Sequence, residues 1–206
     1  AGVMAAPLIL FAHGAGAPST SDWMLAWGER LATVGKLVRF DYPYMRPLPG
    51  ATERVRRPPN RHADLVAAHV HELAIAKKSL RRPVVLAGKS MGSRIGCHVA
   101  LTEAVRALVC FGYPLVSMSG KLRDEVLLAL RVPILFIQGT RDKLCPLDDL
   151  ERVRAAMTAP SALHVVDSGD HSLVCTKAWL RAHTMSQSDV DDAIMQAIGV
   201  FLSNHL

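Results

Sequence analysis

The sequence predicts an α/β fold, a largely parallel sheet with helices on both faces. Short apolar runs closed by turn residues recur along the chain, and longer amphipathic stretches separate most of them, which is the pattern of βαβ units. Size agrees: 206 residues, 50% hydrophobic and 20% charged, suffice for one domain with a sizeable core and lie far from the composition of disordered chains. The expectation is therefore a single domain over the whole chain.

The first strand is expected at Leu8–Ala12 and the second at 37–40. Further strands are expected at 84–87, at Ala107–Phe111, at 134–137 and at 163–166. Their near-continuous apolar character, rather than strict alternation, is that of parallel strands buried on both faces. Between the first two, Ser19 with Asp22 has the spacing of a capping box opening a helix through Trp23 and Trp27, with Gly35 as its stop. An amphipathic stretch at about 64–80 fits a crossover helix, and 117–130 is expected to contribute a short helix beside the site. The last helix is the clearest: Ser188 and Asp191 repeat the capping spacing. Val190, Ala193, Ile194, Ala197, Ile198, Phe201 and Leu202 form one stripe that should dock on the sheet.

Several function classes lose support at once. No apolar run approaches the roughly 20 residues that span a bilayer, and Ala1-Gly2-Val3-Met4 lacks the basic and apolar regions of a secretion signal. Cys97, Cys110, Cys145 and Cys175 are scattered without C-x-x-C pairs, so they read as reduced thiols, and the expected location is cytoplasmic or organellar. The formal charge of +6 concentrates in the loop 53–61, where Arg54, Arg56, Arg57 and Arg61 are interrupted by Pro58 and Pro59. No aromatic platform is interleaved with these arginines, so a solvated loop is favoured over a nucleic-acid site. The third possibility is the rim of a pocket that reads an anionic substrate. His69 and His71 stand two apart on a helix and face different directions, a poor metal pair, and His98 reads as packing.

The chemistry gathers around Gly88-Lys89-Ser90-Met91-Gly92, a G-x-S-x-G pentapeptide directly after a strand and at the start of a helix. A serine on so sharp a turn takes an uncommon backbone conformation, and its neighbours at minus two and plus two must lack side chains that would clash. Gly88 and Gly92 meet that need, and Gly92, Gly96 and Ala100 give the following helix a small-residue face toward the sheet. A hydroxyl is a poor nucleophile until a base takes its proton. Such sites run serine, acid, histidine along the chain, the acid after a late strand and the base after the last. Asp142 and His171 fall at those places, with Asp170, Asp148 and Asp149 as weaker rivals for the acid. Ser90, Asp142 and His171 are thus the candidate catalytic residues. For the oxyanion, the backbone N–H of Met91 pairs with one from His13-Gly14-Ala15-Gly16-Ala17, Ala15 before Gly16, with His13 bracing the loop. No G-x-G-x-x-G or Walker pattern is present, so no nucleotide cofactor is expected, and no metal. Gly16, Trp23, Tyr42, Tyr44, Met45 and Arg46 are candidate substrate contacts, with plain core packing the alternative for the aromatic ones and Met45. Arg57 and Arg61 are candidates beside Arg46 for an anionic group.

Taken together, His13-Gly14-Ala15-Gly16, Arg39-Phe40-Asp41-Tyr42-Pro43-Tyr44-Met45, Arg57-Pro58-Pro59-Asn60-Arg61, the elbow, Gly139-Thr140-Arg141-Asp142 and Gly169-Asp170-His171-Ser172 make a set. That set resembles the dienelactone-hydrolase-like α/β-hydrolases grouped with the testis-expressed and NSL-complex-subunit proteins. The resemblance spans nearly the whole chain. It implies six mostly parallel strands in the order 2-1-3-4-5-6, no large cap, and the triad Ser90, Asp142 and His171. Two positions depart from it: Ala87, where many relatives carry another glycine, and Cys145-Pro146 after the acid. Dienelactone hydrolases typically use a cysteine nucleophile, so a serine here points to an esterase-like activity.

The reading is a metal-free serine hydrolase of carboxylic esters or thioesters acting through an acyl-serine. Its partner is a small-molecule substrate, conceivably anionic, and the chain is expected to be a monomer or small homo-oligomer. The alternative is a protein that keeps the fold without catalysing, a small-molecule receptor or interaction scaffold. Because the base must be neutral to accept a proton, activity should fall in mild acid, histidine ordinarily titrating near about 6.5.

Overall fold

The structure, a computed structural model, describes residues 6–53 and 55–206. The N-terminal stretch 1–5 and Arg54 of the basic loop lie outside the described residues. Strands β1 (Leu8–Ala12), β2 (Lys36–Phe40), β3 (Val84–Lys89), β4 (Ala107–Phe111), β5 (Ile134–Gly139) and β6 (Ser161–Val166) form one sheet in the order β2-β1-β3-β4-β5-β6. Every pairing in it is parallel. Helices α1 (Asp22–Leu31), α2 (His62–Ser79), α3 (Met91–Val99), α4 (Glu125–Ala129), α5 (Leu147–Ala156), α6 (Lys177–Ala182) and α7 (Gln187–His205) cover it, with a short 3-10 turn at Pro43–Met45. Among the described residues no large cap stands over the strand ends.

Alternation along the strands sorts the core into two layers. Leu8, Leu10 and Ala12 of β1 face the side packed by Leu65 and Leu73 of α2, Ile95 of α3, Leu127 of α4 and Leu150 of α5. Ile9 and Phe11 face the other side, closed by Met24 and Trp27 of α1 and by Val190, Ile194, Ile198, Phe201 and Leu202 of α7. The central strands β1 and β4 are buried along their whole length, whereas the edge strands β2 and β6 are partly exposed. This is why the central runs stand out in the sequence and the edges blur.

Four local expectations are corrected. The first helix is capped by Ser21, whose side chain accepts from the Met24 N–H, while the Ser19 N–H donates to Asp41 Oδ1 at 2.7 Å. That helix ends at Leu31. Gly35 instead lies where a side chain would stand 2.8 Å from Ile9 and the Pro7 carbonyl, so it is a close approach to β1 rather than a helix stop. The last helix opens two residues earlier than expected, with a reciprocal capping box between Ser186 and Asp189. In its stripe Ala193 is exposed and Ala197 half-buried, so the larger side chains carry the docking. Region 117–130 does contribute the expected short helix, α4, preceded by an antiparallel bridge between Val116 and Leu122. Helix α6 has no buried residue and hence no apolar stripe by which a sequence reading could find it. Among the described residues no helix is long and apolar enough to cross a membrane.

Candidate active site

The order of strands reverses beside β1: the chain goes from β1 outward to β2, then returns to β3 on the other flank. Open parallel sheets bind ligands in the crevice that such a reversal leaves at the strands' carboxyl ends. The loop after β1 carries His13 to Ala17 and the turn after β3 carries Ser90, so both walls of the crevice come from the motifs singled out in the sequence.

Ser90 has φ 50° and ψ −117°, a left-handed conformation that a residue with a Cβ occupies at a cost. The glycines around it are required by space. A side chain at Gly88 would lie 2.3 Å from the Ser93 nitrogen, and one at Gly92 would lie 2.5 Å from the carbonyl oxygens of Ala12 and His13. Gly96 differs from the expectation, since a Cβ there would only touch its nearest neighbour, His69, at 3.7 Å. The turn is tied down by the Ser90 N–H, which donates to the Phe111 carbonyl at 2.9 Å. It also aims α3 at the crevice, with the N–H of Met91 at the free first position of the helix.

From the loops after β5 and β6 come the other two residues. Ser90 Oγ lies 2.8 Å from His171 Nε2, and His171 Nδ1 lies 2.7 Å from Asp142 Oδ2. Gln138 donates from Nε2 to the same carboxylate oxygen at 2.7 Å, and the Leu144 N–H donates to Oδ1 at 2.9 Å. Burial pushes the Asp142 carboxyl up, but the hydrogen bond and charge of His171, with the bonds from Gln138 and Leu144, outweigh it and hold the group below its usual value. The rivals have other work. Asp170 Oδ1 accepts from the N–H groups of Ser172 and Val174, closing the loop that carries His171, and Asp148 and Asp149 sit in the first turn of α5.

Ala15 borders the Ser90 cleft, a space of about 230 Å³ lined also by Gly14, Trp23, Met24, Lys89 and His171. Among the described residues, the N–H groups of Ala15 and Met91 enter no hydrogen bond. His13 lies behind the loop, fully buried, with Nδ1 2.6 Å from the Gly14 carbonyl and Nε2 accepting from the Tyr42 N–H. Gly16 and Met45 border a second cavity, about 610 Å³, which shares Ala15 with the first and is walled by Arg56, Arg57, Pro58 and Pro59.

Three candidate substrate contacts stand elsewhere. Tyr42 is fully buried among Phe40 and His69, its hydroxyl 3.0 Å from His69 Nδ1, because the chain turns into the core after β2. The Tyr44 hydroxyl donates to the Ala15 carbonyl at 2.9 Å, so it braces the loop from behind, and burial, then Asp41, push its pKa up to about 12. Arg46 is held by Glu72 and the Asp41 carbonyl and exposed Arg61 by Asp64, whereas Arg57, whose Nη2 donates to the Pro43 and Arg46 carbonyls, meets no carboxylate among the described residues and lies on a cavity wall. Trp23 does face Ser90, and its Nε1 donates to the Ser172 carbonyl.

Sequence reasoning missed three residues. Gln138 was hidden inside an apolar strand, where its buried amide was the only signal. Gly112, at φ +62°, passes under the base loop, where a side chain would lie 2.7 Å from the His171 carbonyl. Lys89 was read only as a variable position of the pentapeptide. Its Nζ donates to the His171 carbonyl at 2.5 Å and lies 5.0 Å from the Trp23 ring centre, and burial lowers its pKa to about 8.

A parallel sheet reversed at β1, with a strained serine between β3 and α3 and the later acid and imidazole loops at the same edge, is the architecture of the α/β hydrolases. The chain belongs to the alpha/beta hydrolase domain family, whose model matches residues 5–199. Solved structures agree on the fold. An alpha-beta serine hydrolase homologue from Coxiella burnetii aligns with TM-score 0.70 and 15% identity over 95% of this chain and 86% of its own. A dienelactone hydrolase from Anabaena variabilis aligns with TM-score 0.65 and 17% identity over 98% and 88%. Est1E from Butyrivibrio proteoclasticus, with ferulic acid bound, aligns with TM-score 0.65 and 15% identity over 94% and 90%.

Proposed function

We propose that this chain is a serine hydrolase that cleaves a small carboxylic ester or thioester through an acyl-serine intermediate. One observation carries the proposal: the unbroken hydrogen-bonded line from Ser90 Oγ through His171 to Asp142, at 2.8 and 2.7 Å. In the proposed reaction Ser90 Oγ attacks the substrate carbonyl carbon while His171 Nε2 takes its proton. Asp142 keeps the Nδ1 proton in place and stabilises the imidazolium. The N–H groups of Ala15 and Met91 receive the charge that develops on the carbonyl oxygen. His171 then returns the proton to the departing alcohol or thiol, and a water activated by the same imidazole releases the acid.

Substrate size follows from the walls. The cleft at Ser90 accommodates a short acyl group against Trp23 and Met24, and the larger cavity beyond Ala15 receives the other limb, with Arg56 and Arg57 placed to meet a negative charge on it. The reading predicts that the protein is labelled by a fluorophosphonate and turns over short nitrophenyl esters, and that Ser90→Ala abolishes both. Equal signals from the two proteins would reject Ser90 as the nucleophile, and no labelling or turnover in either would favour a binding protein on the same fold. Among active esters, those with an anionic leaving limb should be preferred at low salt, and Arg57→Gln should remove the preference.

A further inference from the structure

A cavity of about 290 Å³ lies between the start of α2, the outer face of α3 and the segment leading into α4. It shares no lining residue with the Ser90 cleft. Its walls hold three fixed cations, Arg94, Lys121 and Arg123, with His62 and His98, against a single carboxylate, Glu125. Among the described residues none of the three cations forms an ion pair, with Glu125 or any other acid. Arg94 Nε is cut off from solvent and has no hydrogen-bond partner, and the one side-chain contact of its guanidinium is a 3.4 Å approach of Nη1 to His62 Nδ1.

The cut-off Arg94 Nε is costly without a partner, and the half-buried Arg123 and exposed Lys121 beside it supply no negative charge to offset it. Burial and the facing Arg123 both oppose the charge on Arg94. The groups that act the other way are Tyr113, Tyr42 and Cys97, each kept neutral by its own burial. The His62 and His98 rings meet edge-on at 4.3 Å, and burial and then the neighbouring cationic side hold both below the ordinary histidine range. Helix α2 adds to the excess, because it begins at His62 without a side-chain cap, and Asp64 of its first turn is engaged by Arg61 at 3.3 Å.

We propose that this cavity binds the phosphoryl group of a small molecule. The lining donors come from three separate elements, α2, α3 and the segment before α4, which can surround a tetrahedral oxyanion, and three fixed positive charges match a dianion. Arg94 supplies the fork, with Lys121 and Arg123 closing from the loop. The site is independent of ester cleavage, although Arg94 stands one helical turn from Ser90 and its N–H bonds the Ser90 carbonyl at 3.2 Å.

The test titrates inorganic phosphate into the full chain at constant ionic strength, read by calorimetry and by the side-chain NMR signals of the histidines. Expected are saturable shifts at His62 and His98 with His164 and His183 unmoved, and no saturation with acetate. Arg94→Gln should weaken binding by at least about tenfold. Should that variant unfold, Lys121→Gln with Arg123→Gln on the loop serves the same purpose and should show the same loss. Absent saturation, equal binding of acetate, or affinity unchanged in a folded variant would each overturn the proposal.

Discussion

Asp142 is the most tightly specified side chain of the site: buried, with three donors on its two oxygens. Asp142→Asn would present an amide N–H where Nδ1–H must donate, favouring the wrong imidazole tautomer. A fall in kcat/KM of about 10³–10⁴-fold is expected in ester hydrolysis, with the fold retained in circular dichroism. Since the Asp142 carboxyl is held below its usual value of 3.8, its ionised form contributes stability above that pH, lost as pH falls through the lowered value. Lys89 is lowered too, but there burial penalises the charged form. Its pKa falls from 10.5 to about 8, so the folded protein sheds this proton before the unfolded chain does, and the contribution of this one group to stability rises with pH across that window. Urea unfolding across the window should show the wild type gaining stability relative to Lys89→Met as pH rises, because the buried tyrosines and cysteines act alike in both proteins. These residue-scale contacts were only partly legible in the sequence. Ser90, Asp142 and His171 stood out because chain order and a pentapeptide announce them. Gln138, Gly112 and the reach of Lys89 act across strands or loops far apart in sequence and leave no local pattern.

At the scale of elements, the turn between β3 and α3 is set by space. In Gly92→Ala the new methyl would meet two carbonyl oxygens of the β1 end at 2.5 Å, so the variant should lose several kcal/mol, about 3 or more, or fail to fold. Helix α7 offers a milder test away from the chemistry: Ser186→Ala removes one half of a capping box and should cost about 1 kcal/mol in urea unfolding while leaving ester hydrolysis unchanged. The capping residue was misread by two positions because Ser186 with Asp189 and Ser188 with Asp191 present the same spacing in one short stretch. Tertiary contact decides between them: Gln187 reaches back to the Leu173 carbonyl and the Cys175 N–H, fixing where the helix begins. Strands were legible where both faces are buried, and helix α6 was not, because it has no fully buried residue and packs on the core only through the half-buried Trp179 and Leu180.

At the scale of the whole molecule, five connections converge on one edge of the sheet. The sheet's reversal at β1 opens the crevice, β1 and β3 supply its two walls, and the ends of β4, β5 and β6 deliver Gly112, Asp142 and His171. On the proposed function, this convergence makes Ser90 the nucleophile. Peptide mapping by mass spectrometry after fluorophosphonate treatment tests it most directly. A single phosphonyl adduct on Ser90 is expected, lost when His171 is replaced by alanine in a protein that still unfolds cooperatively. An adduct on any other residue, or labelling of Ser90 that persists undiminished without His171, would contradict it.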